Sequence, residues 1–369
     1  SASASFIPTS AFPEIKSDKL SFLKVRAGYG TSANFPFGYP ISATLNLDTQ
    51  SFIRNGGFII SNTSGSVLGN PNLKPERIDE IEFGVEGRFF SNRLSMDLSI
   101  YNKKTNDLII SRPLDPSTGY TLTQTNIGLI ENKGVELDLS MDWIRSDDGV
   151  NFSTSLNWST NDAIVIDLGE DTDRIVYAGF GTLGNAAIPG ESLGSIIGSS
   201  ITRSGASIED SRWVGGDGGL IVNNQGSYDE TFDPTIIGDA NPDWIANISN
   251  SVSFKNLSLN FLFNFQAGGD IYSTTVATLL GRGLTTDTLD RELSFILPGV
   301  NNGQPNTKQI NNSTFYFSNV LYGPDEMRIY DATHWRLGEV SLSYNLPKRI
   351  LDNTPFGNIS ITASGFNLF

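Results

Sequence analysis

The feature that most limits this chain is a strict two-residue alternation carried over unusually long segments. Leu94, Met96, Leu98 and Ile100 alternate with Ser95, Asp97 and Ser99, and Val135, Leu137, Leu139, Met141 and Trp143 with Glu136, Asp138, Ser140 and Asp142. Ile81, Phe83, Val85 and Phe89 alternate with Glu80, Glu82, Glu86 and Arg88, and Leu23, Val25, Ala27 and Tyr29 with Lys24 and Arg26. Leu257, Leu259, Phe261, Phe263 and Phe265 continue the pattern. Successive side chains of a strand point to opposite faces, so each segment is a strand with one apolar and one polar face. Nine such strands are predicted, at 20–29, 78–90, 93–104, 133–144, 150–160, 244–254, 257–266, 335–345 and 358–367, with a tenth fragment at 1–7. No segment shows a sustained helical period.

Strand length and connection length then separate two architectures. A sandwich core is served by strands of about 5–6 residues, whereas a tilted strand crosses a bilayer in about 9–11; the segments here are of the second kind. The connections alternate without exception. Long ones at 31–76, 105–132, 161–243 and 267–334 are separated by tight turns at Ser91-Asn92, Arg145–Gly149 and Lys255-Asn256. In an up-and-down meander every second connection lies at the same end, so all long loops emerge on one side. Outer-membrane barrels have this asymmetry, with short periplasmic turns and long extracellular loops. Phe89, Phe90, Trp143 and Phe152 sit beside the short turns, and Tyr29, Tyr101, Trp158, Trp244 and Trp335 toward the long loops, as two interfacial girdles require. The expected fold is all-β, a fragment of a large up-and-down transmembrane β-barrel with about 10 strands in this chain. The alternative is a soluble sandwich or propeller, and functionally a non-transporting β-rich surface or adhesin protein. Both ends of the chain read as strands cut short, so a piece of a longer protein is expected. Ser1–Ile7 lacks the basic start and apolar core of a signal peptide.

Composition removes several chemistries. There is no cysteine, hence no disulfide and no thiolate ligand, and the one histidine, His334, leaves no multi-histidine zinc site. His334 precedes Trp335 at a strand entry and reads as structural. The formal net charge of −15 argues against binding nucleic acid. With 40 acidic residues, carboxylate pairs that resemble a glycosidase acid and base are expected by chance. The polar barrel face explains them better: Glu82, Glu86, Asp97, Glu136, Asp138 and Asp142 are expected to line the lumen. Gly215–Gly219 lacks the Gly-Lys-Ser/Thr of a phosphate loop, and Glu170-Asp171-Thr172-Asp173 reads as a solvated loop. No catalytic residue and no cofactor is expected. Candidate ligand or partner contacts are the loop aromatics Tyr177, Phe180, Trp213, Tyr228, Phe232, Tyr316 and Tyr322. They can stack on sugar rings or pack the loops against each other or a partner.

Several local sequences resemble a known family. Leu68-Gly69-Asn70-Pro71-Asn72-Leu73-Lys74-Pro75-Glu76, Tyr101-Asn102-Lys103-Lys104-Thr105-Asn106-Asp107-Leu108-Ile109 and Glu131-Asn132-Lys133-Gly134-Val135-Glu136-Leu137 resemble signatures of SusC/RagA-type TonB-dependent outer-membrane transporters. Pro189–Ser195, Ile237–Trp244, Asp331–Leu337 and Gly365-Phe366-Asn367-Leu368-Phe369 follow in the family's order. The resemblance implies the C-terminal part of a 22-stranded barrel across 1–369, with plug domain and TonB box outside this chain. It implies active import of oligosaccharides or peptides together with a SusD-like surface lipoprotein, with TonB contacted through an N-terminal segment and outer-membrane lipid around the barrel. A SusC-like barrel acting only as a scaffold in a larger outer-membrane complex fits the same motifs. The family's calcium-type acidic run is reduced here to Asp217 within Trp213–Gly219, too few carboxylates for calcium, so no metal is expected.

Overall fold

The computed structural model describes the chain except residues 37–40, 55, 170–171, 204–218 and 353, and except the side chains of 48–54, 58 and 59. Ten strands form one antiparallel sheet in sequence order: β1 (Ala2–Phe6), β2 (Leu20–Asn34), β3 (Glu76–Phe89), β4 (Leu94–Pro113), β5 (Leu122–Ile144), β6 (Val150–Asp167), β7 (Trp244–Phe254), β8 (Leu257–Ala267), β9 (His334–Asn345) and β10 (Ser360–Phe366). Each strand pairs with its neighbours in the chain, which is the predicted meander, and the sheet remains open between β1 and β10. The short segment Val67–Leu68 adds parallel to the top of β5.

Register carries the alternation across the sheet. Val25, Val85, Leu98, Leu137, Trp158, Ala246, Phe265 and Trp335 form one unbroken cross-strand row from β2 to β9. The next row, one residue along each strand, is Lys24, Glu86, Asp97, Asp138, Asn157, Asn247, Asn264 and Arg336. A slip of one residue in any pair would exchange the two faces for that strand, so the pattern itself fixes the register.

Two predicted details change. The turn between β3 and β4 spans four residues, Phe90–Arg93, with Phe90, Ser91 and Asn92 all at positive φ, rather than a two-residue turn at Ser91-Asn92. The expected loop 105–132 is mostly strand: β4 and β5 continue upward to a short connection at 114–121, where Asp115 accepts a hydrogen bond from the Ser117 amide at 2.8 Å and Gly119 takes φ +79. These upper strand halves lack clean alternation because they pack against other loops on one side, and that is why the sequence reads as loop.

The other long connections also hold regular structure. Leu45–Arg54 and Gly57–Ser64 pair as a hairpin. Within 161–243, the strands Ile175–Phe180, Leu183–Ala187, Ser195–Ile201 and Glu230–Asp239 build a separate four-stranded antiparallel sheet. Within 267–334 lies a helix, Thr274–Gly281, N-capped by Ser273, whose side chain accepts from the Val276 amide. It is too short for a sustained period to show in the sequence.

Candidate functional site

The six acidic residues predicted to share a face do share it, and they are not alone there. Arg26, on β2, chelates Asp97 with two guanidinium nitrogens at 3.0 and 2.7 Å and reaches Glu82 at 3.3 Å. Lys24 stands 3.8 Å and Arg88 3.4 Å from Glu86, and Arg145 pairs with Asp142. Asp138 instead accepts from the Asn157 amide. Further along the same row, Asn264 donates to Asn247 at 2.5 Å and accepts from Arg336 at 3.1 Å. The polar face is thus a hydrogen-bonded band with basic residues at its β2 and β9 ends and uncancelled acid at β5, where Glu136 and Asp138 have no cation within 4.0 Å in the described residues. Sequence reasoning placed Lys24 and Arg26 on this face but missed that they pair with three of its six carboxylates. Tyr101 also lies on this face, not among the outward girdle residues. Its ring covers Gly134, where a Cβ would stand 2.4 Å from the ring, and its hydroxyl donates to Asn161 at 3.2 Å.

Toward the long-loop end the same face turns apolar. The row Ser32, Ile78, Thr105, Ile130, Val165 continues the polar side upward. Ile130 and Val165 are buried with Ile127, Leu168, Ile175 and Ala187, against Tyr177 and Leu193. The four-stranded loop sheet therefore folds over the polar side of the main sheet and is held there by an ordinary hydrophobic core. A second small core of Val222, Leu297 and Ile310, flanked by Tyr228, Phe295 and Phe315, joins the connection 161–243 to the connection 267–334.

Buried ions lock these two connections together. Glu326, 4% exposed, accepts from the Ile201 amide at 2.9 Å and from Arg203 at 2.5 Å. Asp325 accepts from the Ser199 amide and hydroxyl, both at 3.2 Å, and from the Tyr272 hydroxyl at 3.0 Å. Arg328 donates to the carbonyls of Val320, Leu321 and Gly323 at 3.0, 3.0 and 2.9 Å. Asn319, fully buried, accepts from the Tyr228 amide at 2.7 Å. Sequence reasoning missed this cluster. Its local signal is Asp325-Glu326-Met327-Arg328, which does not stand out beside Asp290-Arg291-Glu292 in the same connection, and the partner Arg203 lies too far away in sequence to be read.

The predicted loop aromatics divide accordingly. Tyr177 donates its hydroxyl to the Leu193 carbonyl, and burial, with Asp239 nearby, raises its pKa above the usual tyrosine range. Burial does the same at Tyr228 and Tyr316. Phe180, Phe232 and Tyr322 are exposed, at 76%, 77% and 59%. Tyr322 stacks edge-on against Phe317 at 4.9 Å and receives the Arg282 guanidinium at 3.2 Å. Trp213, Asp217 and the glycines 215–218, like Glu170 and Asp171, lie outside the described residues. His334 sits at the start of β9 with Nδ1 2.8 Å from the Ala332 carbonyl, a local turn contact.

Residues 2–196, which span β1 through the first strands of the loop sheet, match the family model for the TonB dependent receptor-like β-barrel. The chain belongs to that family. The TonB-dependent receptor P3 of Formosa agariphila is 28% identical over 366 residues, covering 95% of this chain and 35% of that protein. TonB-dependent receptor SusC of Bacteroides thetaiotaomicron is 29% identical over 167 residues, 43% of this chain and 16% of its own length. The solved RagAB peptide transporter superposes on all of this chain with a TM-score of 0.70 at 21% identity, covering 39% of that chain, which is a likeness of fold. The receptor barrel described here spans 35% of the length of the first curated relatives it matches. Members of the family are outer-membrane proteins, and the apolar row from Val25 to Trp335 is the face of this receptor barrel that can meet hydrocarbon. The relatives are receptors and transporters rather than enzymes.

Proposed function

We propose that this receptor barrel is the C-terminal part of a SusC-like active importer of oligosaccharides or peptides, working with a SusD-like surface lipoprotein and energised by TonB. In this reading the polar face lines the lumen, the long-loop end is extracellular, and plug and TonB box lie in the remainder of the protein. The observation that carries it is the loop platform, which folds over the polar side of the sheet and still presents Phe180, Phe232 and Tyr322 to water. A closed lumen needs both edges of the sheet paired, because unpaired backbone groups are costly in hydrocarbon; β1 and β10 each have one neighbour here. Cells carrying the full-length protein should accumulate labelled oligosaccharide or peptide only while TonB is present. Accumulation that persists unchanged without TonB would refute energised import, and no accumulation of either class would favour a scaffold.

A further inference from the structure

We propose that Tyr101, Glu136 and Asn161 form a subsite on the polar face for one uncharged pyranose residue of an oligosaccharide. The inference rests on the reading above that this face lines the lumen, and it selects oligosaccharide over peptide as the cargo. Tyr101 on β4, Gly134 on β5 and Asn161 on β6 stand side by side in one cross-strand row. The phenol does not rise into the lumen. Its far end takes the place of a Cβ at Gly134, and its hydroxyl reaches on to the Asn161 side-chain oxygen at 3.2 Å. The ring therefore lies along the wall across β5, backed by the buried Gly134, while Tyr101 itself is only half-buried. Four residues further up the same face, at Thr105, Ile130 and Val165, the core beneath the loop platform begins. The ring thus sits about 13 Å below that roof, on wall that cargo must pass.

The groups around the ring select the ligand. Its same-face neighbours are Glu82, Ser99, Lys103, Asn132, Glu136 and Asn161, so an apolar peptide side chain gains little there. Glu82 is occupied by Arg26. Glu136 and Asn161 are exposed, and among the described residues the Glu136 carboxylate and the Asn161 amide nitrogen have no partner. One free acceptor and one free donor thus flank an aromatic surface that is open on one side. A pyranose uses all three. Its C–H groups meet the electron-rich ring, and its hydroxyls donate to the carboxylate and accept from the amide. A lysine or arginine side chain would use Glu136 alone. An acidic sugar would meet the charges of Glu136 and Asp138, which no cation offsets.

The test is calorimetric titration of the full-length protein in mild detergent. The probes are maltohexaose, cellohexaose and mannohexaose, with hexagalacturonate and hexalysine as the charged comparisons. At least one uncharged hexaose should bind, and more tightly than either charged probe. Tyr101→Leu should weaken that hexaose about tenfold, as loss of a central contact aromatic does. Tyr101→Phe keeps the ring and should weaken it no more than about threefold. Glu136→Ala removes an exposed group with no protein partner to strand. It should weaken the hexaose several-fold with heat-modifiability unchanged, so the subsite is tested even where Tyr101→Leu assembles poorly. Failure of every uncharged hexaose to bind, equal or tighter binding of hexagalacturonate or hexalysine, or binding that Glu136→Ala and Tyr101→Leu both leave unchanged overturns the proposal. The titration needs neither TonB nor cells, so the two ideas fail separately. Variant-sensitive hexaose binding without TonB-dependent accumulation keeps the subsite and removes the importer. TonB-dependent accumulation with variant-insensitive binding keeps the importer and removes the subsite.

Discussion

One step along β5 separates two environments. Leu139 lies in the apolar row with Met96 and Leu156, while Asp138 lies in the polar row between Asp97 and Asn157. Leu139→Arg should cost about 2–4 kcal/mol in barrel stability, because the charge enters hydrocarbon near the midplane. Asp138→Asn should leave assembly nearly unchanged, since the Asn157 contact survives as an amide pair. Heat-modifiability on gels and denaturant titration in detergent read both, and equal behaviour would contradict the assignment of faces. At Glu326 the environment is buried protein, not lipid. Arg203→Ala strands the Glu326 carboxylate at 4% exposure, and breaking such a pair costs about 3–5 kcal/mol. That loss should show as faster hydrogen exchange in Ser195–Ile201 and 325–331, with the ten-strand sheet unaffected.

At the scale of elements, the lower half of the sheet was legible because each residue there faces one of two solvents, and alternation records which. Val135 through Met141 on β5 could be read in this way, and so could Leu257 through Phe265 on β8. The upper half was not, because Ile127, Ile130 and Val165 are buried by a loop sheet whose own strands come from elsewhere in the chain. A pattern set by distant packing leaves no period to read. The same separation makes the loop platform the part that responds to alkali. Burial, the main cause, raises the pKa of Tyr177, Tyr228 and Tyr272 in the fold, against the pull of Arg328 at Tyr272. A raised folded value means that folding favours the neutral phenol, so the stabilisation is complete below about pH 10 and is lost as pH climbs through the raised values. Limited proteolysis across that range should release fragments from 172–243 and 268–333, the two connections that carry these tyrosines, while the sheet stays heat-modifiable. Simultaneous loss of both would mean that the platform and sheet do not unfold separately.

For the whole molecule, the meander puts 114–121 and 145–149 at opposite ends. Impermeant labelling of intact cells should mark cysteine placed at Ser117 and spare cysteine at Asp148; the reverse result would invert the membrane orientation. The expected partner also belongs to this scale. The loops bury much of their own apolar surface through the two small cores, which the sequence could not reveal, and what stays uncovered is narrower than a count of aromatics suggests. Replacing both Phe180 and Phe232 with serine should reduce co-purification of a surface lipoprotein at least several-fold, while leaving barrel assembly intact, as hot-spot aromatics of an interface would. Unchanged co-purification would place the contact elsewhere.

The unequal strands have a further consequence. β4, β5 and β6 run 20, 23 and 18 residues, and β7 and β8 only 11 each. At about 3.3 Å per residue, the rim steps down by roughly 20–40 Å along the strand direction from one group to the next. The tall group carries its own rim, whereas above the short group the chain runs on into Glu230–Asp239 and into the pair of Asp270–Tyr272 with Ile329–Asp331. A large body nearing this stretch of wall therefore meets continuous barrel strand on one side and loop-borne strands on the other.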